Sequence, residues 1–173
     1  MLDNYRGDMK RVVTKIGHIF CVEIDGVYKC FFQFIAVDET ELNSTVIRVF
    51  KTHYPMDYKP NLDEIVKDNI DFYAHVLLND GVRNGSWYRV GKHSNLGNID
   101  NIMFKDYEYI TSTERADGIW FVWKINGEAM NLGRLLPEMY KDIPDGGIFP
   151  DTFIIRKIKT GHYYNHIHIS APK

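Results

Sequence analysis

Runs of apolar residues separated by turn residues predict a chain dominated by β-strands. Residues 16–24 and 27–37 form two such runs on either side of Asp25-Gly26. An Asp-Gly pair in this position is typical of a two-residue hairpin with a type I′ turn. Further runs, bounded by polar residues and glycines, predict strands at residues 46–50, 70–78, 87–90, 102–110, 119–125 and 153–158.

Helical signals are short and few. Asn61 is a candidate N-cap, and Glu64 three residues later completes a capping-box pattern, so we expect a short helix that ends near Asn69. Residues 129–141 could hold one or two further helical turns. An Asp80-Gly81 pair is expected to close the strand that begins at residue 70.

Together these elements predict a strand-dominated α+β fold. We expect mostly antiparallel strands in a twisted sheet, a sandwich or a small barrel, with one or two short helices. The chain shows no internal repeat and no polar linker that would mark a boundary. Its 173 residues therefore predict a single domain over residues 1–173.

Composition narrows the choice of partners. The net charge is -2 and the isoelectric point is near 6.4, which argues against broad electrostatic binding of nucleic acid. The first twenty residues contain no apolar stretch long enough for a secretory signal, and no run approaches the length of a membrane span. We therefore expect a cytoplasmic protein with no membrane contact.

Cys21 and Cys30 are the two cysteines of the chain. If Asp25 and Gly26 form a two-residue loop, Cys21 lies directly opposite Cys30 in a non-hydrogen-bonded pair, with roughly 4.5 Å between the Cα atoms. That geometry permits a disulfide. A reducing cytoplasm favours two buried free thiols instead, and this is the interpretation we prefer.

Three histidines near the C-terminus, His162, His166 and His168, form a candidate catalytic or metal-binding group. An alternative function is therefore a metal- or histidine-dependent phosphoester hydrolase, with Lys157 or Lys159 assisting. The spacing matches no established metal motif, and the chain carries no nucleophile or phosphate-loop signature. We predict neither catalytic residues nor a cofactor.

An acidic segment is the strongest charge feature. Residues 57–80 contain six acids and two lysines, a local charge of -4. Such a surface would attract a basic partner and speed its association. The predicted partner-binding residues are the acids of the short helix and its neighbouring strand, with one exposed ring: Asp63, Glu64, Asp68, Asp71 and Tyr73.

Aromatic residues have two predicted roles. Trp87, Trp120 and Trp123 lie in strand patterns and are expected to be core residues. The aromatic-rich stretch at residues 31–34 is a candidate sheet edge that would pair with a second copy of the chain and form a homo-oligomer.

The sequence also resembles a known family. A glycine and a phenylalanine in the first strand, followed later by a tryptophan and a hydrophobic-glycine pair, resemble the immunity protein 26 family of bacterial polymorphic-toxin systems: Gly17, Phe20, Trp87, Val90 and Gly91. The stretches FFQFIA and NSTVIRVF are similar to those of a group of Bacteroidetes proteins.

The resemblance extends over residues 12–125, which would form the β core, with residues 126–173 as a C-terminal extension packed on it. One departure is His18, where the family often has Asp. The resemblance implies a strand-rich protein that binds and neutralises a cognate toxin encoded beside it, without catalysis.

Overall fold

The computed structural model describes residues 12–110 and 118–164. Ten strands occur in this part of the chain: β1 (His18–Ile24), β2 (Tyr28–Asp38), β3 (Ser44–Phe50), β4 (Tyr54–Pro55), β5 (Ile70–Val76), β6 (Tyr88–Lys92), β7 (Met103–Tyr109), β8 (Gly118–Lys124), β9 (Met130–Gly133) and β10 (Ile148–Phe149). The helices are α1 (Leu62–Ile65), α2 (Leu78–Arg83) and α3 (Asp151–Thr160), with 3-10 turns at Ile99–Asn101 and Glu138–Tyr140.

The strands form two sheets. The large sheet has the order β10-β5-β3-β2-β1-β6, with β4 paired to β2, and the small sheet has the order β7-β8-β9. All pairings between these strands are antiparallel except that of β10 with β5. The prediction of a strand-dominated α+β fold is confirmed; neither sheet closes into a barrel.

One face of the large sheet packs against α2 and α3. Its apolar cluster includes Phe32 and Val49 from the sheet and Ile154 from α3. Trp87 completes this layer, because its ring packs edge-on to Phe32 and its indole N–H donates to the carbonyl oxygen of Leu78 at 3.0 Å.

The opposite face of the large sheet carries two separate apolar clusters. One contains Ile19 and Phe31 and is covered by Ile65 of α1. The other contains Ile35 and Val46 and is covered by the small sheet. The molecule is therefore layered, with helices on one side of the large sheet and α1 together with the small sheet on the other.

The first hairpin turns where the sequence predicts, but its register is shifted by one residue. Asp25 and Gly26 both have positive φ, at 52° and 68°, as a type I′ turn requires. Val27 is an extra loop residue, so Ile24 pairs with Tyr28. The predicted two-residue loop is therefore wrong.

This shift separates the two cysteines. Cys21 pairs with Phe31 and Cys30 pairs with Val22, so the thiols lie on opposite faces of the large sheet. The predicted disulfide geometry is wrong, and the preferred interpretation of two buried free thiols is confirmed. Burial raises the pKa of Cys30 to about 12.

The C-terminal element is a helix and not the predicted strand. In α3, Ile154 and Ile158 are four residues apart and both face the core, which is the spacing of a helical stripe. Gly161 ends the helix in the left-handed conformation, with φ 79°. A short apolar run is compatible with either a helix or a strand, and here the helical conformation lets Ile154 and Ile158 pack together against the core.

Three other local predictions differ from the structure. The strand at residue 70 ends at Val76, and the Asp80-Gly81 pair lies inside α2. Residues 129–141 contain β9, which was not predicted, and a single helical turn of the 3-10 type at Glu138–Tyr140. Asn61 is the N-cap of α1, but its side chain makes no capping hydrogen bond.

The aromatic stretch at residues 31–34 is not a sheet edge. It lies in β2, which is hydrogen-bonded to β1 on one side and to β3 on the other. Phe31 and Phe32 have no exposed surface. A homo-oligomer built on this stretch is therefore ruled out, because its backbone is already paired.

A buried carboxylate joins the two sheets. Asp38, at the end of β2, accepts hydrogen bonds from His75 Nε2 of β5 and from Trp123 Nε1 of β8, both at 2.9 Å. The side chains of Asp38 and His75 have no exposed surface. The backbone N–H of Asn126 donates to the other carboxylate oxygen at 3.2 Å. The Asp38 side chain therefore connects the end of β2 to β5, to β8 and to the turn that follows β8.

The protonation of this pair follows from its surroundings. Burial opposes the charge of Asp38, but the hydrogen bonds from His75, Trp123 and Asn126 outweigh it and hold the pKa of Asp38 below its ordinary value. Burial also lowers the pKa of His75, despite the adjacent carboxylate. A neutral His75 with its hydrogen on Nε2 donates to an ionised Asp38.

We expect the substitution Asp38→Ala to lower the free energy of unfolding by about 3 kcal/mol, since it leaves the donors of His75 and Trp123 buried without an acceptor. Denaturant unfolding followed by circular dichroism measures this loss. Asp57→Ala is the control, because Asp57 is exposed, and a change within about 0.5 kcal/mol is expected there. Equal effects of the two substitutions would contradict the assigned role.

Stability should also fall with acidification below about pH 6.5. The unfolded chain binds a proton at His75 near its ordinary pKa of 6.5, whereas the folded chain resists that proton until the lowered pKa is reached. His18 contributes in the same direction, since burial and the charges of Arg89, Lys92 and Lys15 lower its pKa.

Unfolding experiments at pH 7, 6 and 5 should therefore show a smaller decline for His75→Gln than for the wild type, because glutamine can still donate to Asp38 but does not titrate. The His18 contribution remains in that variant, so the decline is reduced and not abolished. An unchanged decline would show that His75 is not the titrating group.

Candidate functional site

The small sheet contributes to an open recess of about 560 Å³, within the range of ligand-binding pockets. We call it the acidic recess. Its carboxylates are those of Glu41, Asp106 and Glu108, and the rings of Phe121 and Trp123 lie on the same face of the small sheet as Asp106. Tyr107 and Tyr109 also contribute to the lining, although their rings lie on the opposite face, and Leu42 and Ala129 complete it.

Strand register explains how the acidic recess is built. Asp106 pairs across the small sheet with Phe121, and Phe104 pairs with Trp123. Paired residues on neighbouring strands share a face, so Asp106 and Phe121 lie on the side of the small sheet from which Trp123 reaches Asp38. The connection between β2 and β3 closes the recess with Glu41, whose carboxylate accepts from the backbone N–H of Ala129 at 2.9 Å.

Among the described residues, nothing compensates the charge in the acidic recess. Its described lining contains three carboxylates and no lysine, arginine or histidine. Burial raises the pKa of Asp106, and the charges of Asp145 and Glu108 add to that effect against an opposing hydrogen bond from the Tyr107 N–H. Within residues 12–110 and 118–164, neither Asp106 nor Glu108 forms an ion pair.

This arrangement suits a cationic side chain. Carboxylates accept charge-assisted hydrogen bonds from an ammonium or guanidinium group. Aromatic faces attract the same cations and pack against their methylene stems. The acidic recess therefore has the chemistry of a socket for lysine or arginine.

The predicted partner-binding residues separate into two groups. Asp63 and Glu64 are exposed on α1, where Asp63 contacts His93 Nε2 at 3.0 Å. Asp68 has a local structural role, since its carboxylate accepts from the backbone N–H groups of Thr52 and Asn69 at 2.8 and 2.7 Å.

Asp71 and Tyr73 belong to a different surface. Both lie on β5 and line a cavity of about 680 Å³ together with Lys105 and Lys157. The Lys157 amine lies 4.3 Å from the centre of the Tyr163 ring. Burial lowers the pKa of Lys157. This cavity has mixed charge, so it does not continue the acidic surface of α1.

The predicted histidine group is only partly described. His162 lines the mixed-charge cavity on β5. His166 and His168 lie outside the described residues. In the described part of the chain, no group of three or more His, Cys, Asp or Glu side chains is placed to hold a metal ion.

Two of the three tryptophans are core residues as predicted. Trp87 and Trp123 are 1% and 4% exposed. Trp120 is half-buried and its ring lies 4.9 Å from that of Tyr107. Among the described residues, no helix is both long and apolar enough to cross a membrane.

The residues that carry the family resemblance converge on the pairing of β1 with β6. Gly17 precedes β1 with φ 93°, and its carbonyl oxygen accepts from the backbone N–H of His93 at 2.9 Å. Gly91 pairs with Ile19. A side chain at Gly91 would collide with Leu62 of α1. These positions are structural, because they let β6 and α1 pack closely on β1.

Comparison with known families agrees with this structure. The model of the family described as Immunity protein 26 matches residues 15–117, which is more than half of the chain. The chain therefore belongs to the immunity protein 26 family, and the resemblance seen in the sequence is confirmed. Comparisons with curated proteins and with solved structures gave no significant match.

Sequence reasoning missed the acidic recess, although one signal was present. Asp106 and Glu108 are two positions apart in a predicted strand and alternate with Tyr107 and Tyr109. Alternation places the two carboxylates on one face. The contributions of Glu41 and Ala129 had no such signal, because they depend on the packing of distant segments.

We expect Asp106→Asn to raise the free energy of unfolding at pH 7 by a few tenths of a kcal/mol, because it removes a repelled and partly desolvated charge whose side chain is largely exposed. Paired denaturant-unfolding curves at pH 7 and pH 4 test this, and the gain should shrink at pH 4 as the wild-type carboxyl takes up its proton. Destabilisation at pH 7 would mean that Asp106 has a stabilising partner.

Proposed function

We propose that this protein neutralises a cognate toxin by direct association, and that the acidic recess receives a lysine or arginine side chain of the toxin. Membership of an immunity-protein family supports toxin neutralisation. The observation that supports the site is a recess whose described lining contains three carboxylates and the rings of Phe121 and Trp123, with no basic residue among those described positions. Binding blocks the toxin sterically and electrostatically, without catalysis, and takes place in the cytoplasm.

A bound cation would make the acidic recess more favourable energetically than it is in the free protein. In the free protein, burial and the nearby charges of Asp145 and Glu108 disfavour the charge of Asp106. A bound cation relieves that repulsion and forms charge-assisted hydrogen bonds. The surrounding rings exclude water from the contact and strengthen it, as in the central residues of other interfaces. The same negative charge accelerates the encounter with a basic partner.

A second surface, the predicted acids Asp63, Glu64 and Asp68 on and after α1, remains a proposal as a contact region, together with Asp71 and Tyr73. It is the weaker candidate for two reasons. Asp68 already accepts two backbone hydrogen bonds. Asp71 and Tyr73 lie by a mixed-charge cavity that contains lysines.

The decisive experiment compares matched charge reversals. The double variant Asp106→Lys with Glu108→Lys changes the net charge by the same amount as Asp63→Lys with Glu64→Lys. The toxin is the protein encoded beside this one, and the measurements are its affinity in a binding assay at low salt and the survival of cells that co-express it. We expect the recess variant to weaken binding at least about tenfold and the α1 variant to retain it.

Each result has a clear meaning. Loss of binding in the recess variant alone supports the acidic recess as the contact. Equal loss in both variants, or loss in the α1 variant alone, overturns that assignment. If the wild-type protein does not associate with the toxin and does not protect cells, direct neutralisation itself is wrong. Circular dichroism of both variants controls for folding.

A further inference from the structure

A second cleft, of opposite charge, lies at the edge of the large sheet. It has a volume of about 450 Å³ and is lined by the first residue of β1 and four consecutive residues of the edge strand β6: His18, Arg89, Val90, Gly91 and Lys92. We call it the basic cleft. It belongs to the large sheet, whereas β7, β8 and the β2–β3 connection line the acidic recess.

A β-bulge assembles the cations of the basic cleft. Lys92 pairs with His18 and Arg89 pairs with Phe20, while the register shifts between Ile19 and Phe20. In a regular strand, residues three apart point to opposite faces. The extra residue of the bulge places Arg89 and Lys92 on the same face as His18. Three nitrogen-bearing side chains therefore converge on one cleft.

Among the described residues, the cations of the basic cleft have no acidic partner. Within residues 12–110 and 118–164, neither Arg89 nor Lys92 forms an ion pair, and neither does the adjacent Lys15. The effect of these charges reaches His18, whose pKa is lowered first by burial and then by Arg89, Lys92 and Lys15. The described lining of the basic cleft therefore contains no counter-charge, as is also true of the described lining of the acidic recess.

His18 is a fixed donor in this cleft. It is only 5% exposed, and its Nδ1 accepts the backbone N–H of Lys15 at 3.1 Å. A neutral imidazole with an accepting Nδ1 carries its hydrogen on Nε2. No partner for Nε2 is found among the described residues, so this N–H group is available to a ligand.

We propose that the basic cleft binds a phosphate group, held by the Arg89 guanidinium, the Lys92 ammonium and the His18 Nε2–H. Arginine offers a planar pair of donors that matches two oxygens of one anion. Lys92 supplies a donor from the same strand as Arg89. His18 supplies one from the neighbouring strand β1, on the same face of the sheet. Three separate donor groups suit a tetrahedral anion with several oxygens better than a carboxylate, which has two.

The test is an NMR titration of the isolated full-length protein with inorganic phosphate, with acetate and sodium chloride at matched ionic strength as controls. We expect saturable shifts of backbone amides in residues 17–20 and 88–93 with phosphate, and much smaller shifts with acetate or chloride. Adenosine monophosphate, added in a parallel titration, shows whether the cleft takes a free phosphate or a phosphomonoester.

Arg89→Gln and Lys92→Gln change exposed side chains and should each weaken phosphate binding about fivefold or more. Lys124→Gln is the matched control, because Lys124 is an exposed lysine on the small sheet, and it should leave the affinity unchanged. His18→Gln, which keeps a side-chain N–H, should retain more affinity than His18→Ala.

Three results would overturn the proposal. These are the absence of saturable shifts with phosphate, shifts of the same size with chloride, and equal effects of the Arg89 and Lys124 variants. The titration uses the protein without any toxin, so its outcome is independent of the proposed toxin binding. Conversely, loss of toxin binding in the recess variants would leave the phosphate proposal in place.

Discussion

The carboxylate of Asp38 is the contact on which the relation of the two sheets depends. It ends the central strand β2 and accepts hydrogen bonds from a histidine of the large sheet and a tryptophan of the small sheet. The Trp123 ring has two roles, because its N–H is anchored on Asp38 while its ring lines the acidic recess. The buried hydrogen bond between Trp123 and Asp38 therefore fixes the shape of the proposed binding surface, although Asp38 itself does not line that surface.

The two clefts share a physical feature. The acidic recess collects carboxylates and the basic cleft collects cations, and the described residues lining each contain no compensating charge. Folding alone does not favour such arrangements, since like charges held together oppose the compact state. Sites that are unfavourable in the free protein are common where binding supplies the missing charge.

Local sequence signals predicted the strands of the large sheet and the position of the first turn, because hydrophobic runs and an Asp-Gly pair act over short distances. They did not predict the register, since a single extra loop residue, Val27, moves every side chain of the hairpin relative to its partner strand. The helix α3 was mistaken for a strand although Ile154 and Ile158 have helical spacing. Short apolar runs acquire their conformation from packing.

The candidate sites were less predictable than the fold. The alternating acids Asp106 and Glu108 are visible in the sequence, but their neighbours Glu41 and Ala129 reach them only through tertiary structure. The basic cleft depends on the bulge in β6, which no residue pattern indicated. The predicted acids on and after α1 illustrate the converse, because a high local charge did not reveal that the Asp68 carboxylate accepts hydrogen bonds from backbone N–H groups.

The boundary of the family match has a consequence for recognition. The match ends at residue 117, before β8 begins. It therefore includes the acids of the recess, while Phe121 and Trp123 are outside it. A relative that shares only the matched segment would keep the carboxylates of the recess but would need other residues in place of Phe121 and Trp123. If the proposed site is correct, replacement of β8 would change the aromatic part of the recess while its carboxylates are kept.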